Sequence, residues 1–235
     1  MKKTLWIAMV GALVASVVVA SAQEVLSANA VGYIKKTVPP AGDLVPLTIP
    51  LEAMDTVNVI FTNTSVATEA DPGSIAYFWE PVGQNWQSST KSTKDSKWGG
   101  AAVGKAMDVG EMFFLKSPLT AVDPKDVTIT GQVPATNSPV PVRVQGNLSA
   151  IANPYPVDFI FTNSSLAVGS ENGSLAYFWD PDGQNWLSAT KSTKDGKWGG
   201  AAIGRTVTAG EGFFLKDVTT AVSREWDAEK MYTWP

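Results

Sequence analysis

Short segments of strand-forming residues, rather than long helical stripes, carry the apolar pattern of this chain. The segment AYFW at 76–79 is one of them and is rich in aromatic residues. Because side chains alternate along a strand, Tyr77 and Trp79 should lie on one face. Ala76 and Phe78 should then lie on the opposite face. We therefore expect a strand here whose aromatic residues are divided between two faces.

A turn signal joins this segment to a second one. The residues between them read EPVG at 80–83, and the equivalent residues in the second half of the chain read DPDG at 180–183. Pro presets φ and Gly accepts a positive φ, so such a stretch between two strand-like segments predicts a tight turn. Segments 75–79 and 84–88, and their counterparts in the second half, should each form a β-hairpin.

Three further segments have strand character. In FFLK at 113–116 the neighbouring Phe113 and Phe114 point to opposite faces, which favours a strand that is covered on both sides. Alternation in VPVRVQ at 140–145 and, more loosely, in VTITGQV at 127–133 is typical of half-buried strands. Beyond the first residues no window shows a sustained helical stripe, so the pattern predicts an all-β protein.

The chain contains an internal repeat. Residues 57–122 align without gaps on residues 157–222, and 41 of the 66 aligned positions are identical. Upstream, LVPLTIPL at 44–51 matches LSAIANPY at 148–155 only loosely, after a shift of about four residues. A repeat of this length has the size of a domain and is too long for one unit of a solenoid.

The repeat defines the domain organisation that we expect. Residues 23–125 should form the first β domain and residues 126–235 the second, after a signal peptide at 1–22. Because the strands are short and separated by turn signals, the predicted fold class is all-β, with two tandem homologous domains that are each a small β-sandwich or β-barrel.

The first 22 residues have the features of an export signal. Lys2 and Lys3 precede an apolar run of 16 residues, and Ala20-Ser21-Ala22 is an A-x-A cleavage site. The run is shorter than the roughly 20 residues that span a bilayer, and no second long apolar run follows it. We therefore predict an exported chain with no transmembrane segment after cleavage. Periplasm, cell surface and extracellular medium stay open as destinations.

Composition then removes several function classes. The formal net charge is −4, with 18 basic and 22 acidic residues, which argues against nucleic acid as a partner. The chain has neither His nor Cys, so nucleophile systems that need an imidazole or a thiol are impossible, as are the usual zinc sites. Disulfides are excluded too, and stability must come from a buried core. We expect no cofactor.

Four short motifs of the chain are similar to those of a known set of exported proteins. They read SANAVGYIKKTVPPAG after the signal, LSAIANP, AYFWDPDGQNW and GEGFFLK. In this order they resemble a loosely defined family that occurs in many copies in Verrucomicrobia and related bacteria. The first unit departs from the pattern, since LVPLTIPL replaces the L-I-A-N-P segment. The resemblance implies an exported, β-rich, extracytoplasmic protein and supplies no activity or catalytic residue.

The tryptophans are the strongest chemical signal. Trp79 and Trp86 are flanked by strand residues and are expected in the core. Trp98 instead follows a polar stretch, KSTKDSKW at 91–98, which recurs as KSTKDGKW at 191–198. Either the indole is exposed beside lysines, as a flat face for a sugar ring with cations for acidic groups, or it folds over the apolar edge of the domain while the lysines stay in water. The candidate ligand-binding residues are Trp98, Lys91, Lys94, Lys97, Trp198, Lys191, Lys194 and Lys197.

Acidic residues supply two further candidates. Asp180 and Asp182 resemble the opening of a calcium loop, but a hairpin turn explains both copies and calcium only one, because the first unit has Val82 at the second position. Three acidic positions occur in both units, although nothing in their spacing brings two carboxylates into a cleft, as glycoside hydrolysis requires. Written as first unit/second unit, these positions are Glu80/Asp180, Asp95/Asp195 and Glu111/Glu211.

The sequence leaves three interpretations of function. We favour an exported, non-catalytic structural or adhesive protein of the envelope, the surface or the extracellular matrix. The alternative is a pair of carbohydrate-binding modules that recognise polysaccharide, including acidic polysaccharide, through Trp98 and Trp198. A glycoside hydrolase that works with carboxylates alone comes third. The expected partners are therefore polysaccharide or further copies of the chain.

Overall fold

The structure of the protein is a computed structural model that describes residues 31–51, 59–108, 110–133, 140–144, 147–218 and 224–228. The predicted signal peptide at 1–22 lies outside these residues. Within the described ranges, no helix has the length and apolar character that crossing a membrane requires.

Nearly all regular elements of the described residues are strands, in two equivalent units. The strands of the first unit are β1 (Val31–Val38), β2 (Leu44–Thr48), β3 (Val59–Ile60), β4 (Ile75–Glu80), β5 (Asn85–Lys91), β6 (Trp98–Gly100), β7 (Ala106–Met107), β8 (Met112–Lys116) and β9 (Lys125–Gln132). Those of the second unit are β10 (Val140–Val144), β11 (Leu148–Ala152), β12 (Phe159–Ile160), β13 (Leu175–Asp180), β14 (Asn185–Lys191), β15 (Trp198–Gly199), β16 (Thr206–Val207), β17 (Gly212–Lys216) and β18 (Arg224–Ala228). The helices are α1 (Ser65–Glu69) and α2 (Ser165–Gly169), each preceded by a 3-10 turn, Phe61–Asn63 or Phe161–Asn163.

Each unit is built on a five-stranded antiparallel sheet. The strand order is β2-β8-β4-β5-β6 in the first unit and β11-β17-β13-β14-β15 in the second. The predicted hairpins are present, since β4 pairs with β5 and β13 pairs with β14 in the same register. The prediction of two similar all-β units is therefore confirmed.

The strand that follows the first repeat pairs with the first strand of the same unit. β9 begins at Lys125 and runs antiparallel to β1, from Val38 opposite Lys125 to Val31 opposite Gln132. The equivalent pair in the second unit is β10 with β18. By strand pairing, the first unit thus extends to Gln132, which lies beyond the boundary expected at 125/126.

Each unit has its own hydrophobic core beneath the five-stranded sheet. In the first unit Phe61 makes edge-to-face contacts, with its ring centroid 5.1 Å from that of Phe78, 5.2 Å from Phe113 and 5.0 Å from Trp98. Phe161 makes the equivalent contacts in the second unit at 5.3, 5.2 and 4.9 Å. The two copies therefore conserve their packing as well as their pairing.

The short helices are elements that the sequence pattern did not predict. Five residues are too few to leave a helical stripe of apolar positions. Local capping nevertheless fixes where they begin. The Thr64 side chain accepts the backbone N–H of Ala67 at 3.1 Å, and Ser164 accepts that of Ala167 at 3.2 Å.

Candidate binding groove between the units

The five-stranded sheets of the two units pack against each other through their outer faces. Trp79 and Phe114 of the first unit meet Trp179 and Phe214 of the second, and together with Met112 they form a buried cluster. Trp79 lies 5.7 Å from Phe214, and Phe114 lies 5.7 Å from Trp179, both edge-to-face. The prediction that the FFLK strand is covered on both sides is confirmed. The unit's own core covers one face, and the other unit covers the opposite face.

Hydrogen bonds between the units are reciprocal. Trp79 Nε1 donates to the carbonyl oxygen of Leu148 at 2.9 Å, and Trp179 Nε1 donates to that of Leu44 at 3.0 Å. Such an exchange of equivalent contacts is the pattern of an isologous interface. The units are therefore related by a pseudo-twofold axis, and Leu44 is the counterpart of Leu148, as the shift in the repeat predicts.

Two glutamines fix the hairpin turns to the opposite unit. Gln84 Nε2 donates to the carbonyl oxygen of Leu148 at 3.0 Å, while its Oε1 accepts the N–H of the same residue at 3.3 Å. Gln184 makes both bonds with Leu44, at 3.1 and 2.9 Å. These glutamines have φ of +50° and +47°, so the positive φ expected at the turn glycine occurs one residue later. The inter-unit bonds offset the cost of this conformation.

The backbone of the edge strands is also bonded across the interface. β2 and β11 each form one edge of a five-stranded sheet. The N–H of Thr48 donates to the carbonyl oxygen of Gly210 at 3.0 Å, and that of Ala152 donates to Gly110 at 2.8 Å. Each unit thereby supplies acceptors to an edge that would otherwise offer unpaired groups to other chains.

Trp86 and Trp186 stay partly accessible beside this interface. Their exposed fractions are 45% and 44%, so the prediction that Trp86 lies in the core is wrong, whereas Trp79 is buried as predicted. Each indole packs edge-to-face against both Phe114 and Phe214. Phe214 lies 5.7 Å from Trp86 and 5.6 Å from Trp186, so the two indole centroids are at most about 11 Å apart, the sum of those distances.

A groove with a volume of about 530 Å³ runs beside these rings and is lined by both units. Its aromatic and apolar surface, with a few polar groups, has the general character of a ligand site. The first unit contributes Trp79, Gln84 and Trp86, and the second contributes Asn147, Leu148, Tyr177, Trp186, Phe214 and Lys216.

Lys91 lies inside its unit rather than on an open surface. Only 6% of the residue is exposed, and its ammonium group donates to the carbonyl oxygens of Ala67, Thr68 and Ala70 at 3.0, 2.8 and 2.7 Å. These carbonyl groups end α1, where they lack intrahelical donors and carry partial negative charge. Burial lowers the pKa of Lys91. Lys191, 7% exposed, caps α2 through the same three bonds at 3.1, 2.8 and 2.7 Å.

Trp98 folds back onto the core, as the second of the two expected arrangements describes. Its indole N–H donates to the carbonyl oxygen of Ala67 at 2.9 Å, and its ring packs on Phe61. Trp198 makes the equivalent bond at 3.0 Å. The structure therefore brings Lys91 and Trp98 together on one backbone carbonyl group at the end of the helix.

The other candidate lysines are exposed on a loop that bonds to itself. Lys94 and Lys97 lie at the surface, as do Lys194 and Lys197 in the second unit. The Ser92 hydroxyl accepts the backbone N–H of Lys94 at 3.1 Å, and a carboxylate oxygen of Asp95 accepts that of Lys97 at 3.3 Å. The hydrogen bond to Ser92, followed by that from the Lys97 backbone, lowers the pKa of Asp95. Loop geometry thus accounts for the Ser92 and Asp95 side chains, which both copies keep.

Three acids line a smaller concavity of about 180 Å³, namely Glu80, Asp108 and Glu111. Glu111 pairs with the Lys105 ammonium at 3.0 Å, and its other oxygen accepts the backbone N–H of Asp108 at 3.1 Å. Burial raises the pKa of Glu111. The second unit repeats the ion pair with an arginine, at 2.8 Å. In both units the largely covered glutamate side chain therefore fixes its own loop.

The two aspartates of the calcium candidate close a hairpin turn. A carboxylate oxygen of Asp180 accepts the backbone N–H of Asp182 at 3.2 Å, and Glu80 accepts that of Val82 at the same distance. The turn thus forms in the same way with and without a second acid. In the part of the chain that the structure describes, no group of three or more acidic side chains is arranged to hold a metal ion.

Comparisons of the chain with family models, with characterised proteins and with solved structures found no match. Function must therefore be inferred from the groove and from the chemistry of the residues that line it. Among those residues, the two half-exposed indoles are the feature that packing of the units does not explain.

Proposed function

We propose that the protein is an exported, non-catalytic adhesive protein that binds a polysaccharide in the groove between its two units. The observation that carries this proposal is the pair of half-exposed indole rings of Trp86 and Trp186, which line one groove. The predicted signal peptide supports export. The adhesive role rests on binding of a polysaccharide at a site that both units build together.

The exposed indoles are a preorganised contact surface. An aromatic side chain of this size can bury on the order of 200 Å², so leaving two of them partly in water forgoes stabilisation of the fold. Both rings are fixed in place by Phe114 and Phe214. Adjacent exposed apolar groups of this kind mark interaction sites on soluble proteins.

A sugar chain matches the chemistry of the groove. The C–H groups on one face of a pyranose ring pack on an indole, while the hydroxyl groups at its edge need polar partners, which Asn147 and Tyr177 can supply. Since the indole centroids are at most about 11 Å apart, one short stretch of a linear polysaccharide can contact both. Nucleic acid would need a basic patch along its backbone, whereas Lys216 is the one basic residue among the nine described residues that line the groove.

The charges of the groove support binding without hydrolysis. Cleavage of a glycosidic bond by carboxylates needs two acids on either side of the bond. None of the nine described residues that line the groove is an acid. In the neighbouring concavity Glu111 is already engaged with Lys105 and a backbone N–H.

The test is calorimetric titration of residues 23–235 with a panel of linear polysaccharides. We expect saturable binding without release of reducing ends. Replacing both indoles, Trp86→Ala with Trp186→Ala, should weaken binding by at least about tenfold, since buried tryptophans dominate binding energies. Circular dichroism spectra checked against wild type ensure that the loss is not one of folding.

The matched control replaces the exposed lysines of the polar loop, Lys94→Gln with Lys97→Gln. This variant should bind as tightly as wild type, because the loop lies outside the groove lining. The proposal would be contradicted if the loop variant lost binding while the double tryptophan variant kept it. So would a chain that binds no polysaccharide of the panel.

A further inference from the structure

We infer that the groove selects polysaccharides whose rings carry acidic groups, carboxylate or sulfate, and that Lys216 recognises those groups. This inference rests on the proposed function, because it names the ligand class of the same groove. Among the nine described lining residues Lys216 alone is charged. Its side chain is exposed, and in the described part of the chain it takes part in no ion pair.

Strand register explains why this lysine faces the groove. Alternation along β17 puts Lys216 on the same face as Phe214, which is the face that meets the other unit. Leu148 lies directly opposite Lys216 in the register of β11 with β17. Asn147, the residue before it, also lines the groove. An ammonium, an amide and an aromatic floor therefore lie together at this end.

The pseudo-twofold axis provides an internal comparison. Lys116 is the counterpart of Lys216 and lies opposite Leu44 in the same register. The residue before Leu44, however, is Asp43, where the second unit has Asn147. The position before the edge strand is thus neutral in the half that lines the groove and carries a carboxyl group in the other half. The second unit has an acid of its own, Asp217, where the first has Ser117, but Asp217 is buried, accepts the Ser174 hydroxyl at 3.0 Å and does not line the groove. The groove lining around Asn147 and Lys216 therefore presents a positive charge without an acid.

The acidic excess of the chain opposes binding of a polyanion, and distance decides which effect prevails. At physiological ionic strength the screening length is about 8 Å, so charges spread over the surface act weakly on a ligand in the groove. A direct contact with Lys216 is screened much less. Local attraction should therefore exceed the general repulsion at physiological salt.

The experiment compares ligands that differ in charge alone. Polygalacturonate is titrated against its fully methyl-esterified form, and dextran sulfate against dextran, in buffer of physiological ionic strength. Wild type should bind each acidic polymer more tightly than its neutral partner. Lys216→Gln should weaken binding of the acidic polymer by up to about fivefold and leave binding of the neutral polymer unchanged. Lys116→Gln, the matched control, should change neither value by as much as twofold.

The outcomes separate this inference from the proposed function. If Lys216→Gln alters neither acidic nor neutral binding, or alters both equally, the inference fails. The proposed function still holds in that case, provided that Trp86→Ala with Trp186→Ala weakens both. If no polymer of either kind binds, the proposed function itself fails. Equally tight binding of polyglutamate would show recognition of charge without sugar and would overturn the assignment of a polysaccharide.

Discussion

Replacing Lys91 by methionine should lower the free energy of unfolding by about 2–4 kcal/mol. Methionine keeps the unbranched stem of lysine but lacks the ammonium that donates to three carbonyl groups at the end of α1. The carbonyl group of Ala67 retains the Trp98 indole as a donor. Those of Thr68 and Ala70 lose the donor that the structure shows for them.

The magnitude follows from two opposing contributions. A buried polar group without a partner costs about 1–3 kcal/mol, so two such carbonyl groups cost roughly 2–6 kcal/mol. The variant, however, no longer has to bury a charged ammonium, whose cost is visible in the lowered pKa of Lys91. We therefore expect the lower part of the range. This is a large share of the roughly 5–15 kcal/mol that stabilises a typical protein.

The assay is urea unfolding at pH 7, followed by far-ultraviolet circular dichroism. Lys94→Met is the control, because Lys94 belongs to the same loop and is exposed; its free energy of unfolding should change by less than about 0.5 kcal/mol. Equal urea midpoints for the two variants would refute the capping role of Lys91. A Lys91→Met protein of wild-type stability that no longer bound polysaccharide would make the loop a ligand site after all.

Three further changes test other parts of the structure. Gly100→Ala should lower the melting temperature strongly, because Gly100 has φ of +117° and an added Cβ atom would lie 2.8 Å from the carbonyl oxygen of Ser88. The control Gly99→Ala should melt like wild type, because an added Cβ atom there would have no atom within 4 Å. Trp179→Phe keeps a ring but loses the N–H bonded to the other unit, so urea unfolding should show a loss of about 1–2 kcal/mol. Burial raises the pKa of Glu111 in the folded protein above its ordinary value of 4.5, so folding is accompanied by proton uptake just above pH 4.5. Wild type should therefore gain stability relative to Glu111→Gln as the pH falls from 7 to about 4.5, and should gain no more below that pH. Melts of both proteins across this pH range check the sign, and a gain in the opposite direction would contradict it.

Local periodicity was enough to predict the hairpin strands β4 and β5, the FFLK strand β8, and the strands β9 and β10. Side-chain alternation follows from the extended backbone alone, and it assigned Phe113 and Phe114 to opposite faces, both of which are buried. The turn residues likewise predicted both hairpins. Identity between residues 57–122 and 157–222 implied two copies of one fold, which the two equivalent sheets confirm.

The role of the outer face could not be predicted in this way. Trp79 and Trp86 lie directly opposite each other on neighbouring strands, and both read as core residues. One is nevertheless buried and the other is half-exposed, because the second unit covers only part of the sheet. No local pattern shows how far a partner surface extends. For the same reason Gln84, whose bonds reach Leu148, was not recognised as an interface residue.

The sequence by itself thus determined the two hairpins, the strands that show clear alternation and the duplication, because each is set by neighbours along the chain or by comparison of one segment with another. Tertiary structure decided which of the repeated residues are buried caps and which line a groove. Lys91 and Lys94 look equivalent in KSTKD, yet it is the Lys91 ammonium that donates to backbone carbonyl groups at the end of α1. Those carbonyl groups lie 21 to 24 residues away in sequence, at a helix too short to show a periodic apolar pattern. Contacts over such separations depend on how the elements pack, and the packing brought Trp86 and Trp186, rather than Trp98 and Trp198, to one groove.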